Sequence, residues 1–410
     1  MVYIEIDANK LRKGSVIMSK LFMFEKPLGM RDTLPSLFEK KKQVRNQLAE
    51  EISSWGYQYM ATPTLEYFET VGSASAILDQ QLFKLLDKEG HTLVLRPDMT
   101  TPFARVAASK LLNNSPLRLA YEANVFRAQQ REGGRPAEFE QIGVELIGDA
   151  TMSSDAEVIA LMINALKRAG LKSFKVAIGH IGFVNSLFLE IVGNEERANV
   201  LRRFLYEKNY VGYRNHVKSL NLSSIDKQRL LQLLNLRGGE EKIKEAIELV
   251  ENKEGKKLAE DLQSLWNMLA AYGVTEEIKI DFNLVSHMSY YTGILFEVFA
   301  EHVGFHIGNG GRYDQLLEQF STKTPATGFG IQLDRLIEAL DEEVYEEVPV
   351  YGVLYSQERL SEALALAAEQ RRAGKRVVVQ DIVGVDDVDV FTAGFEEVSF
   401  LIGKRGKGGQ

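Results

Sequence analysis

The sequence predicts an α+β fold, an antiparallel sheet flanked by helices, with a small C-terminal α/β domain. Three observations carry this. Residues 117–127 and 138–147 each alternate apolar and polar, the second carrying Phe139, Ile142, Val144, Leu146 and Ile147, the period of half-buried strands. A charged, helical stretch over 195–270 interrupts the strand-like sequence, which returns at Ile278. The tail, Val350–Gln410, reads β-α-β-α-β. Strands grouped in runs with helices beside them point to α+β for the body.

Taken in order, residues 1–17 alternate briefly ahead of Met18 and form an N-terminal extension whose origin the sequence leaves open. Ser36 is expected to cap a helix from about Leu37 to Trp55, with Leu37, Phe38, Val44, Leu48 and Ile52 at helical spacing. The stretch 56–69 is strand-like but broken by Pro63, which suits an edge or interface strand. Residues 82–96 read as a hairpin turning at Lys88–Gly90, and a helix begins near Thr101 with Pro102 in its first turn. Ser154–Leu171 reads as an amphipathic helix capped by Ser153 or Ser154 and stopped by Gly170. Lys175–Phe183 is a strand leading to a helix. After the helical stretch come IKIDFNLV, YYTGILFEVFAE and the Gly-rich GNGGRYD, then a strand and helix over 324–343, and acidic 341–347 as a linker.

At 410 residues the chain has length for two or three domains. Its net charge of −8 argues against broad polyanion binding and leaves room for a local basic patch. With no cysteine there is no disulfide, thiolate ligand or Cys nucleophile. No run reaches the roughly 18 apolar residues of a membrane span, and MVYIEIDANKLRKGSVI has no signal-peptide pattern. A cytoplasmic location is expected.

Chemistry concentrates in Tyr121–Gly148. Arg127 and Arg135 bracket a charged loop, while Gln141, Gly143 and Glu145 lie two apart and project to one face. Guanidinium groups suit phosphate or carboxylate, and a Gln/Glu pair suits an amine or ring N–H. Such a surface reads as a receptor for a small ligand with anionic and cationic parts. Taken singly, each residue has a plainer reading. The arginines fit a solvated loop face, Glu145 a buried ion pair with a local Lys or Arg, and Gln141 a core amide. Asp98 and Thr100 fit a helix N-cap, Tyr290 and Tyr291 strand aromatics, and GNGGRYD a tight turn with close backbone approach. His302 and His306 flank Gly304 in strand-like sequence, so no metal site is expected there, and no cofactor is called for.

Read together, TPTLE, LRPDMTTPFAR, FRAQQREGGRPAEFEQIGVE, YYTGILFE and GNGGRYD…TPATGFGIQLDRL resemble histidyl-tRNA synthetase, in order and approximate spacing, over about Glu25–Asp341. The resemblance implies a class II aminoacyl-tRNA synthetase-like domain over 18–343 with a helical insertion at 195–270. It also implies a homodimer whose interface involves the Pro63 region. By position, Asp98 and Thr100 would meet a histidine ligand's ammonium with Gln141 nearby; Glu145 and Tyr291 would meet its imidazole, and Tyr290 would shape that pocket. Arg127, Arg135 and Arg335 match the family's ATP-contacting arginines, a possible nucleotide or phosphate site.

Departures from the synthetases narrow the reading. Where they carry Arg-Gly-Leu-Asp-Tyr-Tyr, this chain has Ser286, His287, Met288, Ser289, Tyr290 and Tyr291. The Arg lost at Ser286 is the one that neutralises the substrate carboxylate during adenylation, and losing such a group costs about 10²–10³ in rate. Gln129 stands where the synthetases have Glu, Ala137 where they have Arg, and Gln332 replaces a Gly of the third motif. The tail, 350–410, is similar to a shortened anticodon-binding domain and carries eight Lys/Arg against nine Asp/Glu, no net positive charge for an RNA backbone. A kept amino-acid pocket with damaged activation chemistry resembles the regulatory subunits of ATP phosphoribosyltransferase. That family implies no catalytic residues and a hetero-oligomer with the short-form catalytic subunit, for the first step of histidine biosynthesis. It further implies histidine as feedback effector, and no tRNA or membrane partner. An active or divergent histidyl-tRNA synthetase is the competing expectation.

Overall fold

The structure, a computed structural model, describes residues 25–403 apart from 73, 112–114, 129–135, 287–289 and 341–347. The N-terminal extension, the acidic linker, Gln129, Arg135 and Ser289 therefore lie outside the described residues. The chain divides into two compact units, Met1–Asp341 and Glu342–Gln410.

Unit one begins with helix α1 (Pro35–Ser54), then strands β1 (Gln58–Tyr59), β2 (Leu65–Tyr67), β3 (Lys84–Leu86) and β4 (Thr92–Leu95). Next come helix α2 (Thr100–Val106), the long strands β5 (Leu117–Phe126) and β6 (Glu138–Ile147), helix α3 (Met152–Arg168), strand β7 (Phe174–His180) and helix α4 (Ile181–Val192). The insertion holds α5 (Glu195–Tyr206), α6 (Tyr210–Ser219), α7 (Ser224–Leu233), the two-residue strand β8 (Arg237–Gly238), α8 (Glu241–Leu249) and α9 (Lys253–Ala271). Strands β9 (Ile278–Asp281), β10 (Ile294–Ala300), β11 (His306–Arg312) and β12 (Ala326–Gln332) and helix α10 (Leu333–Ala339) complete it.

Nine strands form one sheet in the order β1-β5-β6-β12-β11-β10-β7-β9-β8, and β2-β4-β3 form a second. Its core is antiparallel, but β1 pairs with β5 and β7 with β9 in parallel, so the large sheet is mixed. The expected central pair is present as β5 and β6, in register from Leu117↔Ile147 to Phe126↔Glu138. Helix α3 lies almost wholly buried beside the sheet, and Arg312 of β11 is tied to it: Nε and Nη2 donate to Asp155 Oδ2 at 2.9 and 2.7 Å, and Nη2 to Ser154 Oγ at 2.8 Å.

Several expectations need correction. Helix α1 starts at Pro35, with Leu34 at the cap position, so Ser36 is not the cap; proline's fixed φ suits the first helical position. Helix α3 likewise starts at Met152 behind Thr151 and has no side-chain cap. Ser154 instead bonds Thr151 O at 2.7 Å and serves Arg312. GNGGRYD is no turn: residues 309–312 run inside β11. The close approach is real, since a Cβ on Gly310 would sit 2.3 Å from Gly328 O. Tyr290 and Tyr291 precede β10 rather than lying in it.

In unit two, strands β13 (Val350–Tyr355), β14 (Arg376–Asp381) and β15 (Glu397–Leu401) alternate with helices α11 (Leu360–Arg372) and α12 (Val388–Thr392). They form a parallel sheet ordered β14-β13-β15. Val353, Ala363, Ala367 and Val377 make its core between α11 and the sheet.

Candidate functional site

One face of the large sheet floors a cavity of about 580 Å³. The period of two that aligns Gln141 and Glu145 on β6 continues across the sheet. The strand register sets Glu145 against Gly328 and Gly143 against Gly330. Gly328 is held to glycine because a Cβ there would lie 2.4 Å from Val144 O as well as 2.1 Å from Glu145 Oε2, and a Cβ on Gly330 would displace the Gln141 amide, 1.9 Å from its Nε2. The bare strand β12 thus leaves room for the side chains of β6.

Asp98, Thr100, Gln141, Glu145, Tyr290, Tyr291, Arg127 and Arg335 all line this cavity. Arg135 lies outside the described residues. Asp98 is 4 % exposed. Its Oδ1 accepts from Thr101 N in the first turn of α2 at 2.8 Å, and Oδ2 accepts from Ser75 Oγ at 2.5 Å. The cap position itself is Met99, so the N-cap expectation for Asp98 misses by one residue, while its place in the cavity stands.

Glu145 is 1 % exposed and faces hydroxyls, not a lysine or arginine. Tyr313 OH donates to its Oε2, and Thr100 supplies another side-chain hydrogen bond. Burial pushes its carboxyl up to about 8; the two hydroxyls oppose that shift and the nearby Asp98 charge adds to it. A buried carboxyl of this kind exchanges a proton readily with an imidazole. Around it the tyrosines close in, with ring centroids 4.9 Å apart for Tyr290 and Tyr291 and 5.8 Å for Tyr290 and Tyr313. Asn309 Nδ2 approaches Tyr291 OH at 3.5 Å.

Gln141 does not behave as a satisfied core amide. Its Oε1 is buried with no hydrogen-bond partner among the described residues. An acceptor held in that state costs free energy unless something donates to it. Arg127 is half-buried rather than solvated. Its Nε donates to Pro97 O at 2.8 Å and its guanidinium lies 5.3 Å from the Phe139 ring centroid. Arg335 is set similarly, Nη1 donating to His306 O at 2.7 Å with the guanidinium 4.9 Å from the Phe305 ring. Two cation-topped aromatic rings at the margin and a deep, proton-holding carboxyl give the cavity both basic and acidic groups.

The departures also take shape. Ser286 lines the cavity where the synthetases place arginine, and Gln332 lines it beside Arg335. Ala137 is fully buried against Gly29: its N donates to Gly29 O at 2.8 Å, and a Cβ on Gly29 would come within 2.7 Å of the Ala137 Cβ. No arginine side chain fits at 137 without moving that segment. Sequence reasoning missed Tyr313, Asn309, Glu297, Phe305 and Lys208, all of which line the cavity. Tyr313 and Asn309 sat inside the quoted GNGGRYD motif, so a signal existed; Lys208 comes from the insertion, where none did.

Asp87, Glu89 and His91 on the β3–β4 turn are the group, among the described residues, close enough to share a metal ion. Asp87 and His91 already pair at 2.9 Å. No helix among the described residues is long and apolar enough to cross a membrane.

Residues 29–336 match the family model described as histidyl-tRNA synthetase, and residues 352–403 the one described as histidyl-tRNA synthetase HisZ, C-terminal domain. The ATP phosphoribosyltransferase regulatory subunit of Geobacillus sp. (strain WCH70) is 67 % identical over 389 residues, covering 95 % of this chain and 99 % of its own. That of Geobacillus thermodenitrificans (strain NG80-2) is 66 % identical over 393 residues, with 95 % and 99 % covered. A crystal structure from Bacillus halodurans, described as an ATP phosphoribosyltransferase regulatory subunit/histidyl-tRNA synthetase, superposes with a TM-score of 0.88 at 57 % identity, covering 94 % of this chain and all of that one.

Proposed function

The chain belongs to the histidyl-tRNA synthetase-like family of ATP phosphoribosyltransferase regulatory subunits, and from that premise we propose that its cavity binds histidine as a regulatory signal. The role is regulatory rather than catalytic, in keeping with its relatives' names. The observation that carries the ligand reading is the pairing of an intact receptor with a missing activator. Glu145 and Gln141 Oε1 offer a proton-exchanging carboxyl and an unmatched acceptor, while Ser286 stands where activation needs a cation. A serine hydroxyl donates one hydrogen bond but places no positive charge where negative charge develops.

On this reading Glu145 and Tyr291 take the imidazole, Tyr290 shapes the pocket, and Asp98, Thr100 and Gln141 take the ammonium. Arg127 and Arg335 provide an anion-binding margin, with Arg135 assigned to it by sequence. The partner is the short-form catalytic subunit of ATP phosphoribosyltransferase, in the cytoplasm as befits a biosynthetic complex. Histidine would inhibit by favouring one arrangement of that hetero-oligomer, since equal affinity for both shifts nothing. Homodimerisation through the Pro63 region is supported by Tyr59, Leu65 and Tyr67, which remain 41 %, 44 % and 50 % exposed on either side of it.

The test is calorimetric titration with histidine beside assays of ATP–pyrophosphate exchange and tRNA charging. Histidine binding without exchange or charging is expected, together with co-purification of the catalytic subunit and a histidine-dependent fall in its activity. Robust histidyl-tRNA formation would replace this reading with an active synthetase.

A further inference from the structure

Helices α3, α9 and α11 end alike. In each, the residue after the cap is a glycine with positive φ: Gly170 at 90°, Gly273 at 72° and Gly374 at 85°. Each is closed by paired bonds such as Gly170 N to Lys167 O and Leu171 N to Leu166 O. Helix α5 ends with the same pair, Lys208 N to Leu205 O at 3.0 Å and Asn209 N to Phe204 O at 2.9 Å, but its left-handed residue is a lysine, φ 53°. A Cβ there carries a steric cost that glycine avoids. A broken local rule asks for a compensating use of the side chain.

The side chain of Lys208 reaches the cavity. Its ammonium lies 5.4 Å from the Phe299 ring centroid, and its charge favours ionisation of Glu297, whose carboxyl burial otherwise pushes up. Glu297 stands opposite Asn309 in the β10–β11 ladder, on the cavity side of the sheet. Arg127 and Arg335 already donate to backbone carbonyls. Among the cations that line the cavity, and among the described residues, Lys208 is the one whose ammonium makes no hydrogen bond or ion pair within the protein.

The geometry points to Lys208 as an anion-binding residue that the helical insertion lends to the cavity, taking the carboxylate or phosphate of a ligand held on the sheet. Occupancy then ties the insertion to the sheet through the ligand. The inference rests on reading the cavity as a small-molecule receptor.

Lys208→Gly restores the residue type the backbone prefers, so it is expected to fold with a Tm no lower than wild type. Calorimetric titrations of the full chain with L-histidine, histamine and inorganic pyrophosphate separate the anions. Histidine affinity falling about tenfold or more while histamine, which lacks the carboxylate, is unchanged identifies the carboxylate. A fall confined to pyrophosphate identifies a phosphate. Lys208→Arg should restore either effect. Affinities in Lys208→Gly equal to wild type for histidine and pyrophosphate would overturn the inference, as would a wild-type chain that binds neither anion. A wild type that binds pyrophosphate but not histidine or histamine sinks the amino-acid reading alone, because the pyrophosphate comparison still decides Lys208.

Discussion

If the cavity takes histidine as proposed, the Glu145 carboxyl makes that binding depend on pH in a way that separates this pocket from an ordinary anionic one. With its carboxyl pushed up to about 8, Glu145 is protonated in the empty cavity at neutral pH. A free imidazole, with a pKa of about 6.5, is then neutral. The bound carboxyl–imidazole pair holds one titratable proton between its two members, and over this window it arrives with one. Below about 6.5 the imidazole brings a second proton that must be shed; above about 8 the carboxyl has lost its own and must regain it. Affinity is therefore expected to be flat from about pH 6.5 to 8 and to fall about tenfold per pH unit on either side, 1.36 kcal/mol each. At pH 9.5 the loss is roughly thirtyfold by the same slope. Calorimetry across pH 5.5–9.5 in buffers of different ionisation enthalpy reads both the affinity and the protons exchanged. Glu145→Gln should bind more weakly throughout and lose the alkaline limb, and the difference between the two profiles cancels titration of the ligand's own amine. Affinity for wild type that holds level or rises above pH 8 relative to the Gln variant would show that Glu145 binds as a carboxylate, and the argument from its burial would be wrong.

Other consequences are more structural. The same buried carboxyl should cost stability: its folded-state pKa lies above the unfolded value, so the penalty is absent below about pH 4.5, grows from there and is complete above about 8. Glu145→Gln is accordingly expected to be more stable than wild type by on the order of 3–5 kcal/mol above pH 8 and equal to it near pH 4, in urea melts at each pH. Gly328→Ala puts a methyl 2.1 Å from Glu145 Oε2 and 2.4 Å from Val144 O, so it should abolish histidine binding and destabilise by about 1–3 kcal/mol. Asp155→Ala removes two charge-assisted hydrogen bonds from the buried Arg312 guanidinium, which keeps Asp314, Ser154 Oγ and the carbonyls of Asp149 and Thr151; a loss of about 1.5–3 kcal/mol is expected in the same melts.

Much of this site was legible because its residues obey short-range rules. Gln141 and Glu145 share a face by strand alternation alone, and the long β5–β6 pair follows from its apolar pattern. What stayed hidden depends on distance along the chain. Tyr313 meets Glu145 across 168 residues, and nothing local to GNGGRYD says that its tyrosine rather than its glycines touches the carboxyl. Those glycines were open to reading as a turn because a bare strand and a turn use the same residue, and only the side chains of the neighbouring strand decide. Helix starts were misplaced for a similar reason. Serines at 36 and 154 are good caps in isolation, yet Pro35 had already begun one helix and Arg312 drew the other serine to itself.

The two-residue strands β1 and β8 form the opposite margins of the nine-stranded sheet. Long open margins invite another chain to continue the ladder; brief ones give it almost nothing to bond. On the far margin β8 comes from the insertion, and Arg237 fastens it by donating to Asp281 at 2.9 Å. Excising residues 195–270 to make a minimal receptor would therefore strip β9 of its cover, and the shortened protein should aggregate by strand addition before its ligand chemistry could be measured.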